Sequence, residues 1–430
     1  MSQAAMSEAS LDKLQRNTFE YFLAESNRVN GMVPDNTREG SHASITAIGF
    51  ALTAYTIGVE RGFITRDEAI ERTLTTLRFF RDSEQSERAD ATGYKGFYYH
   101  FLHMDTGRRA WECELSTIDS TFLLAGILTS ATYFDGDTPE ERELRSLAEE
   151  LHARVDWTWA LHAGETVSMG WKPDSGFLPY RWEGYNEALI LYVLALASPT
   201  HPIPAESYKS QTKTYAWKVL YGLEFLYGGP LFIHQLSHMW IDFRGIQDDF
   251  MREKGIDYFE NSRRATYAQQ RYAIINPLDH KGYNEHCWGI TASDGPGPAS
   301  LKIEGVERCF FDYVARGIPY GPDDGTIAPW AAVASLPFAA EIVLPALQHF
   351  NDVYPEVTSK YGFKCSFNPT FQSEKKKERG WISEGYYGLD QGPIVMMIEN
   401  HRTGFVWELM KKCPVIVEGL RRAGFTGGWL

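Results

Sequence analysis

The amino-acid sequence predicts an all-α fold, a ring of paired helices or (α/α)6 barrel whose long loops form a cleft at one end. Three observations predict it. Helical periodicity dominates the 430 residues. It falls into about twelve stretches with no strong strand series between them. The segments that separate the helices are long and rich in Gly, Pro, aromatic and acidic residues, and long ordered loops in a compact protein are usually functional. Barrels often exceed ordinary domain length, so the chain reads as one unit over 1–430.

The elements follow in order. Leu11, Leu14, Phe19 and Phe22 mark one apolar stripe, and Ile45, Ile48, Leu52, Tyr55 and Val59 a second. Thr65 with Glu68 has the pattern of a capping box ahead of Ile70, Leu74 and Leu77. Ser116 with Asp119 opens the helix that carries Leu123, Leu124, Ile127 and Leu128. Thr138, Pro139 and Glu141 start another, with Leu144, Leu147, Leu151 and Val155. Further helices are expected over 185–198, 214–227, 234–244, 248–274, 328–350, 391–412 and 414–423. Short β pieces are expected at 97–103 and 230–234.

Composition narrows the function. The net charge of −14 disfavours a phosphate backbone as partner. The one dense basic run, Lys375, Lys376, Lys377 and Arg379, is interleaved with Glu374 and Glu378 and reads as a solvated loop or helix end. With 12 Trp, 23 Tyr and 25 Phe, the chain has the rings a sugar cleft needs, because flat aromatic faces stack on pyranoses while carboxylates bond hydroxyls. The five cysteines are scattered without a CxxC pair, which excludes a disulfide scaffold or zinc ribbon and suits free thiols in a reducing compartment. The start MSQAAMSEAS lacks a basic and an apolar region, so the chain reads as cytoplasmic, or as periplasmic if a signal was removed. The longest apolar run, Ala188 to Ala197, is too short to span a bilayer.

Three acidic motifs carry the chemistry, and each has a plainer reading. Glu112, Glu114 and Asp119 surround a helix start, where Asp119 also suits a capping role. Glu187 precedes a run of apolar residues and has Trp171, Tyr180, Trp182 and Tyr185 nearby in sequence. A carboxyl there is desolvated, its pKa rises, and it suits a general acid; the plain alternative is a helix-start carboxylate. Asp390 stands in the Gly-rich turn Gly388-Leu389-Asp390-Gln391-Gly392-Pro393, either as an N-cap or as a base that holds a water. Trp182, Trp288, Trp330 and Trp381 are candidate stacking rings, and Arg181, Asn284, His286 and Asp294 candidate hydroxyl partners. Walker A, GxGxxG and GxSxG motifs are absent. His234 and His238 have ligand spacing, but Asp242 alone is placed to complete the set, so no metal is expected.

Taken together, GMVPD (31–35), ELSTIDS (114–120), YNEA (185–188), HQLSHMWIDFR (234–244), NEHCWGITASDGPGP (284–298), GTIAPWAA (325–332) and GLDQGPIVMMIENHRTG (388–404) resemble the glucoamylase-like bacterial family that includes the endo-β-1,2-glucanases of glycoside hydrolase family 144. The matches run in order through nearly the whole chain. The resemblance implies an (α/α)6 barrel and a hydrolase that acts on β-1,2-glucan with inversion, without cofactor or metal. It points to Glu187 as general acid and Asp390 as water-activating base, with Glu114 and Asp119 as further acidic site residues. An inverting pair stands about 6.5–9.5 Å apart with a water between, a retaining pair about 5–5.5 Å. A retaining glycosyl-transferring enzyme and a non-catalytic glucan-binding protein on the same fold are the alternatives.

Overall fold

The computed structural model describes residues 5–372 and 380–430. The basic run at 374–379 lies outside the described residues. Among the described residues fifteen α-helices form: α1 (Glu8–Ala24), α2 (Ile45–Glu60), α3 (Arg66–Asp82), α4 (Thr117–Tyr133), α5 (Pro139–Ala153), α6 (Trp157–Leu161), α7 (Leu189–Leu196), α8 (Ala205–Thr212), α9 (Asp249–Lys254), α10 (Tyr258–Ile275), α11 (Pro329–Ala334), α12 (Leu336–Val353), α13 (Gly388–Arg402), α14 (Phe405–Met410) and α15 (Pro414–Arg422).

The expected caps form. Thr65, Ser116 and Thr138 accept the backbone N–H groups of Glu68, Asp119 and Glu141 and so fix the starts of α3, α4 and α5. Helices α2, α4, α7 and α13 are buried almost all round, whereas α3, α5 and α10 bury one face. The buried helices are neighbours: α13 packs on α2, α2 on α4, α4 on α7, and α11 on α13. Residues 231–239 bridge α7 and α11, since Ser237 Oγ donates to the Glu187 carbonyl (2.7 Å) and Gln235 Nε2 to the Ala331 carbonyl (2.7 Å).

The α2–α4 crossing positions the site. A Cβ at Gly49 would lie 2.2 Å from the Phe122 carbonyl oxygen, and one at Gly126 2.1 Å from the Gly49 carbonyl oxygen. Two facing glycines let the backbones touch, which brings the first turn of α2 against the first turn of α4. A five-stranded antiparallel sheet then leads into α4, ordered Gly93–Tyr94, Phe97–Tyr99, Leu115–Ser116, Gly170–Lys172 and Gly176–Phe177.

Several expectations need correction. Residues 214–227, read as a helix, contain the hairpin Trp217–Leu220/Leu223–Leu226. Its turn residues Tyr221 (φ 54°) and Gly222 (φ 74°) are both left-handed, the two-residue hairpin geometry. Residues 230–234 and 234–244 do not form a strand and a helix; they hold 3₁₀ turns at Leu231–His234 and Leu236–Met239. The long stretch 248–274 breaks at left-handed Gly255 into α9 and α10. Cys309 is exposed and the other four cysteines are buried; none is paired. Among the described residues, no helix is long and apolar enough to cross a membrane.

Candidate active site

The capped start of α4, the strand before it, the loop before α2 and the turn before α7 converge on a cleft of about 570 Å³. Its walls include Asp35, His100, Glu114, Asp119 and Glu187, with Phe101, Trp182, Tyr313, Trp330 and Tyr387 as aromatic surfaces.

Asp119 is both cap partner and cleft residue. Its backbone N–H bonds Ser116 Oγ, and Ser116 Oγ donates in turn to Oδ2. Thr46 Oγ1, on the first turn of α2, donates to Oδ1 at 2.5 Å. His100 lies between the strand ends Tyr99 and Phe101, its backbone N–H on the Glu114 carbonyl. Its ring spans two acids, with Nδ1 2.9 Å from Glu114 Oε1 and Nε2 3.5 Å from Asp119 Oδ1. Burial alone lowers the pKa of His100, but the Asp119 charge, the Glu114 hydrogen bond and charge, and Asp35 overcome it and raise the pKa to about 9. The imidazole is therefore a cation at neutral pH. Burial pushes Glu114 up, yet the hydrogen bond and charge of His100 leave it below the usual carboxylate range.

Glu187 has the opposite setting. It stands in the turn just before α7, not inside the helix as its sequence suggested. Burial raises its carboxyl to about 7, opposed by its own backbone N–H and reinforced by the charge of Asp119.

Asp35 was not singled out by the sequence, although it ends the GMVPD stretch. Its N–H bonds the His42 carbonyl (2.7 Å), and its carbonyl accepts the Gly388 N–H (2.7 Å). This docks the loop before α2 on the start of α13. Asn36 Nδ2 donates to its Oδ2 at 2.9 Å. Burial raises its pKa, opposed by the Asn36 bond and the His100 charge and reinforced by Asp119.

Asp390 is placed differently from the expected base. Its turn is not a polar surface loop but the buried first turn of α13, and Asp390 is 1% exposed and off the cleft wall. Burial holds its carboxyl well above the usual range, offset by the Cys365 thiol and reinforced by Asp35 and Asp294. Burial and both neighbouring acids thus push the same way, against the ionised form that a base needs.

The expected sugar-contacting residues also divide. Trp182 and Trp330 reach the cleft, though Trp330 is almost fully enclosed, and Trp182 Nε1 donates to Thr117 Oγ1 (2.9 Å). Trp288 is a core residue with no exposed surface. Trp381 pairs with Asn368 in a short strand away from the cleft lining. Arg181 ties down its own loop through the Leu161 and Thr166 carbonyls. Asn284 and His286 make a local turn in which Asn284 Oδ1 accepts the His286 N–H (2.8 Å). Asp294 is buried under Arg38 (2.5 Å) and Ser383 (2.7 Å). None of the four lines the cleft: Arg181, Asn284 and Asp294 hold loops, and the His286 ring lies 3.4 Å from Glu285.

One set of groups has metal-ligand spacing among the described residues: His100, Glu114 and Asp119, with ligand atoms within 4.8 Å of one another. The protonated His100 ring already directs its Nδ1–H to Glu114 and its Nε2 side toward Asp119, and these protons compete with any ion. His234 and His238 are buried core residues: His234 Nε2 is 3.1 Å from the Gly228 carbonyl and His238 Nε2 3.0 Å from Ser262 Oγ, and neither lines the cleft.

The chain resembles known proteins over its whole length. The Glycoamylase family model, that of candidate glucoamylases, matches residues 179–414. The chain belongs to this glucoamylase-like family. A candidate glucoamylase of known structure from Bacteroides uniformis is 31% identical, with a TM-score of 0.87 over 100% of both chains. The endo-β-1,2-glucanase of Chitinophaga pinensis, solved with sophorotriose and glucose, is 29% identical with a TM-score of 0.83, over 99% of this chain and 100% of that one. An exo β-1,2-glucooligosaccharide sophorohydrolase of Parabacteroides distasonis is 28% identical over 96% of this chain, which spans 57% of that relative's length.

Proposed function

We propose that this chain is a glycoside hydrolase that cleaves β-1,2-linked gluco-oligosaccharides or glucan with inversion at the anomeric carbon. The observation that carries the reading is Glu187, a carboxyl raised to about 7 in the same cleft as Glu114, which His100 holds below the usual carboxylate range. Environments that push carboxyl pKa values apart separate acid from base. Glu187 protonates the glycosidic oxygen as the leaving group departs. Asp35 is the base: it is half-buried on the cleft with one side-chain donor, so lone pairs remain for a water, and although burial raises its pKa, the Asn36 bond and the His100 and Arg38 charges favour its ionised form. Asp119 spends its oxygens on Thr46, Ser116 and His100, which makes it an electrostatic and positioning group. The His100 cation stabilises both remaining carboxylates.

The ring of buried helices α2, α4, α7, residues 231–239, α11 and α13 supports an (α/α)6 barrel acting as one unit. The sequences and activities of the relatives support the β-1,2 linkage. The test is product analysis by NMR on linear β-1,2-gluco-oligosaccharides. An α-anomer as first product is expected. A β-anomer overturns inversion, and no cleavage of any β-1,2-linked substrate overturns the function.

A further inference from the structure

We propose that Trp111 forms an aromatic platform on the rim of the cleft that binds a glucosyl unit beyond the bond being cleaved and so selects for chain length. This rests on the hydrolase reading above. Trp111 is 59% exposed, while five of the other tryptophans are among the largest fully buried side chains. Its ring is therefore not there to fill the core. Its backbone is unusual as well. Trp111 (φ 53°) and Glu112 (φ 50°) are adjacent left-handed residues, and neither is glycine. Such conformations are disfavoured for residues with a Cβ and persist where the surroundings impose them, commonly at binding sites.

The surroundings do impose them. Arg109 donates to the Glu112 carbonyl (2.7 Å) and to the Cys113 carbonyl (2.7 Å), and its guanidinium lies over the Tyr99 ring at 4.7 Å. The turn is thus clamped by a buried cation that also donates to the Ala89 carbonyl (3.3 Å), so its guanidinium is spent on backbone carbonyls and the Tyr99 face. What it presents is an indole joined to the cleft. The Trp111 ring meets Phe101 at 5.0 Å and His42 at 4.4 Å, both edge-on. Phe101 is stacked on His100 at 3.9 Å, and both line the cleft. The His42 carbonyl holds the backbone N–H of Asp35. The platform is therefore continuous with both the His100 cluster and Asp35. An indole face beside an imidazole suits a pyranose, with the C–H face on the ring and a hydroxyl toward the imidazole nitrogen.

Binding is measured by calorimetry in the Glu187→Gln background, which separates it from turnover, with β-1,2-gluco-oligosaccharides of increasing length. Affinity is expected to rise with length. Adding Trp111→Ala weakens the longest ligands about tenfold and the shortest about twofold, and Trp111→Phe restores part of the loss. Trp111→Gly accepts the left-handed turn, so it melts no earlier than Trp111→Ala yet loses the same affinity. An equal loss at every length, or none, overturns the platform. If wild type cleaves the series and Trp111→Ala keeps its length profile, the platform alone fails. If wild type binds with this profile but cleaves nothing, the platform stands and the hydrolase reading fails.

Discussion

On the α4 side of the cleft, each acid is answered. Asp119 receives two hydroxyls and lies 3.5 Å from His100, and Glu114 is held 2.9 Å from the same ring. Across the cleft, at the turn before α7, Glu187 is desolvated and feels a like charge from Asp119. The same functional group is pushed toward its ionised form at Glu114 and toward its protonated form at Glu187. The difference teaches that role follows environment more than residue type. The α4 side stores negative charge against a cation, and the α7 side stores a proton.

The sharpest way to break this comparison is Glu187→Gln. Loss of a general acid should lower kcat by about 10²–10⁴-fold. In wild type, activity should fall as pH rises through about 7, because the acid form is lost. Stability follows the same sign. A carboxyl whose pKa is raised by folding favours the native state at low pH and costs stability as pH rises from its ordinary 4.5 to about 7. Glu187→Gln should therefore melt later than wild type at pH 8, by on the order of 2 kcal/mol, and gain nothing at pH 4. A variant that keeps full turnover would remove Glu187 as the acid.

Next in size is the contrast between Asp35 and Asp119. Asp35→Asn should cost about 10²-fold in kcat with little change in melting temperature, as it removes a base with one partner. Asp119→Asn should lower activity and melting temperature together, since it breaks the Thr46–Ser116–His100 network that ties α2 to α4. Equal thermal losses in the two variants would merge their roles.

His100→Gln tests the charge balance itself. The folded pKa of about 9 lies above the ordinary 6.5, so the imidazole stabilises the fold fully below 6.5 and loses that contribution as pH rises to about 9. The variant should be less stable than wild type by on the order of 2–3 kcal/mol at pH 6, with the gap closing above pH 9. A gap that does not depend on pH would mean the ring acts by packing and not by charge.

Much of the fold was legible because caps are local. Thr65, Ser116 and Thr138 each sit three residues before the N–H they bond. The hairpin at 217–226 was missed because its aromatic and aliphatic spacing passes for a helical stripe, although Tyr221-Gly222 is a turn signal. In the site, Glu187 was legible from the apolar run that follows it. Asp35 and His100 were not, since their meaning comes from contacts between distant segments: the docking of Asp35 on Gly388 and the pairing of Tyr98 with Ser116. The tryptophans show the same limit. Sequence alone does not separate Trp288, wholly in the core, from Trp182 on the cleft wall.

The smallest expected effect belongs to Asp390, and it puts the comparison under the greatest strain. This carboxyl is more desolvated than Glu187 and is likewise pushed up by burial, but it stands behind the wall made by Tyr387 and Leu389 instead of on it. A proton is of use to the reaction only where it reaches the substrate. Asn closely matches a neutral Asp in shape, so Asp390→Asn should leave kcat within about threefold and stability within about 1 kcal/mol. The measurement is steady-state kinetics on the longest oligosaccharide that wild type cleaves. A loss of a hundredfold would mean that substrate opens the Tyr387–Leu389 wall and recruits Asp390 as an ionised base. The line between the two sides of the cleft would then be drawn by the bound sugar and not by the resting fold.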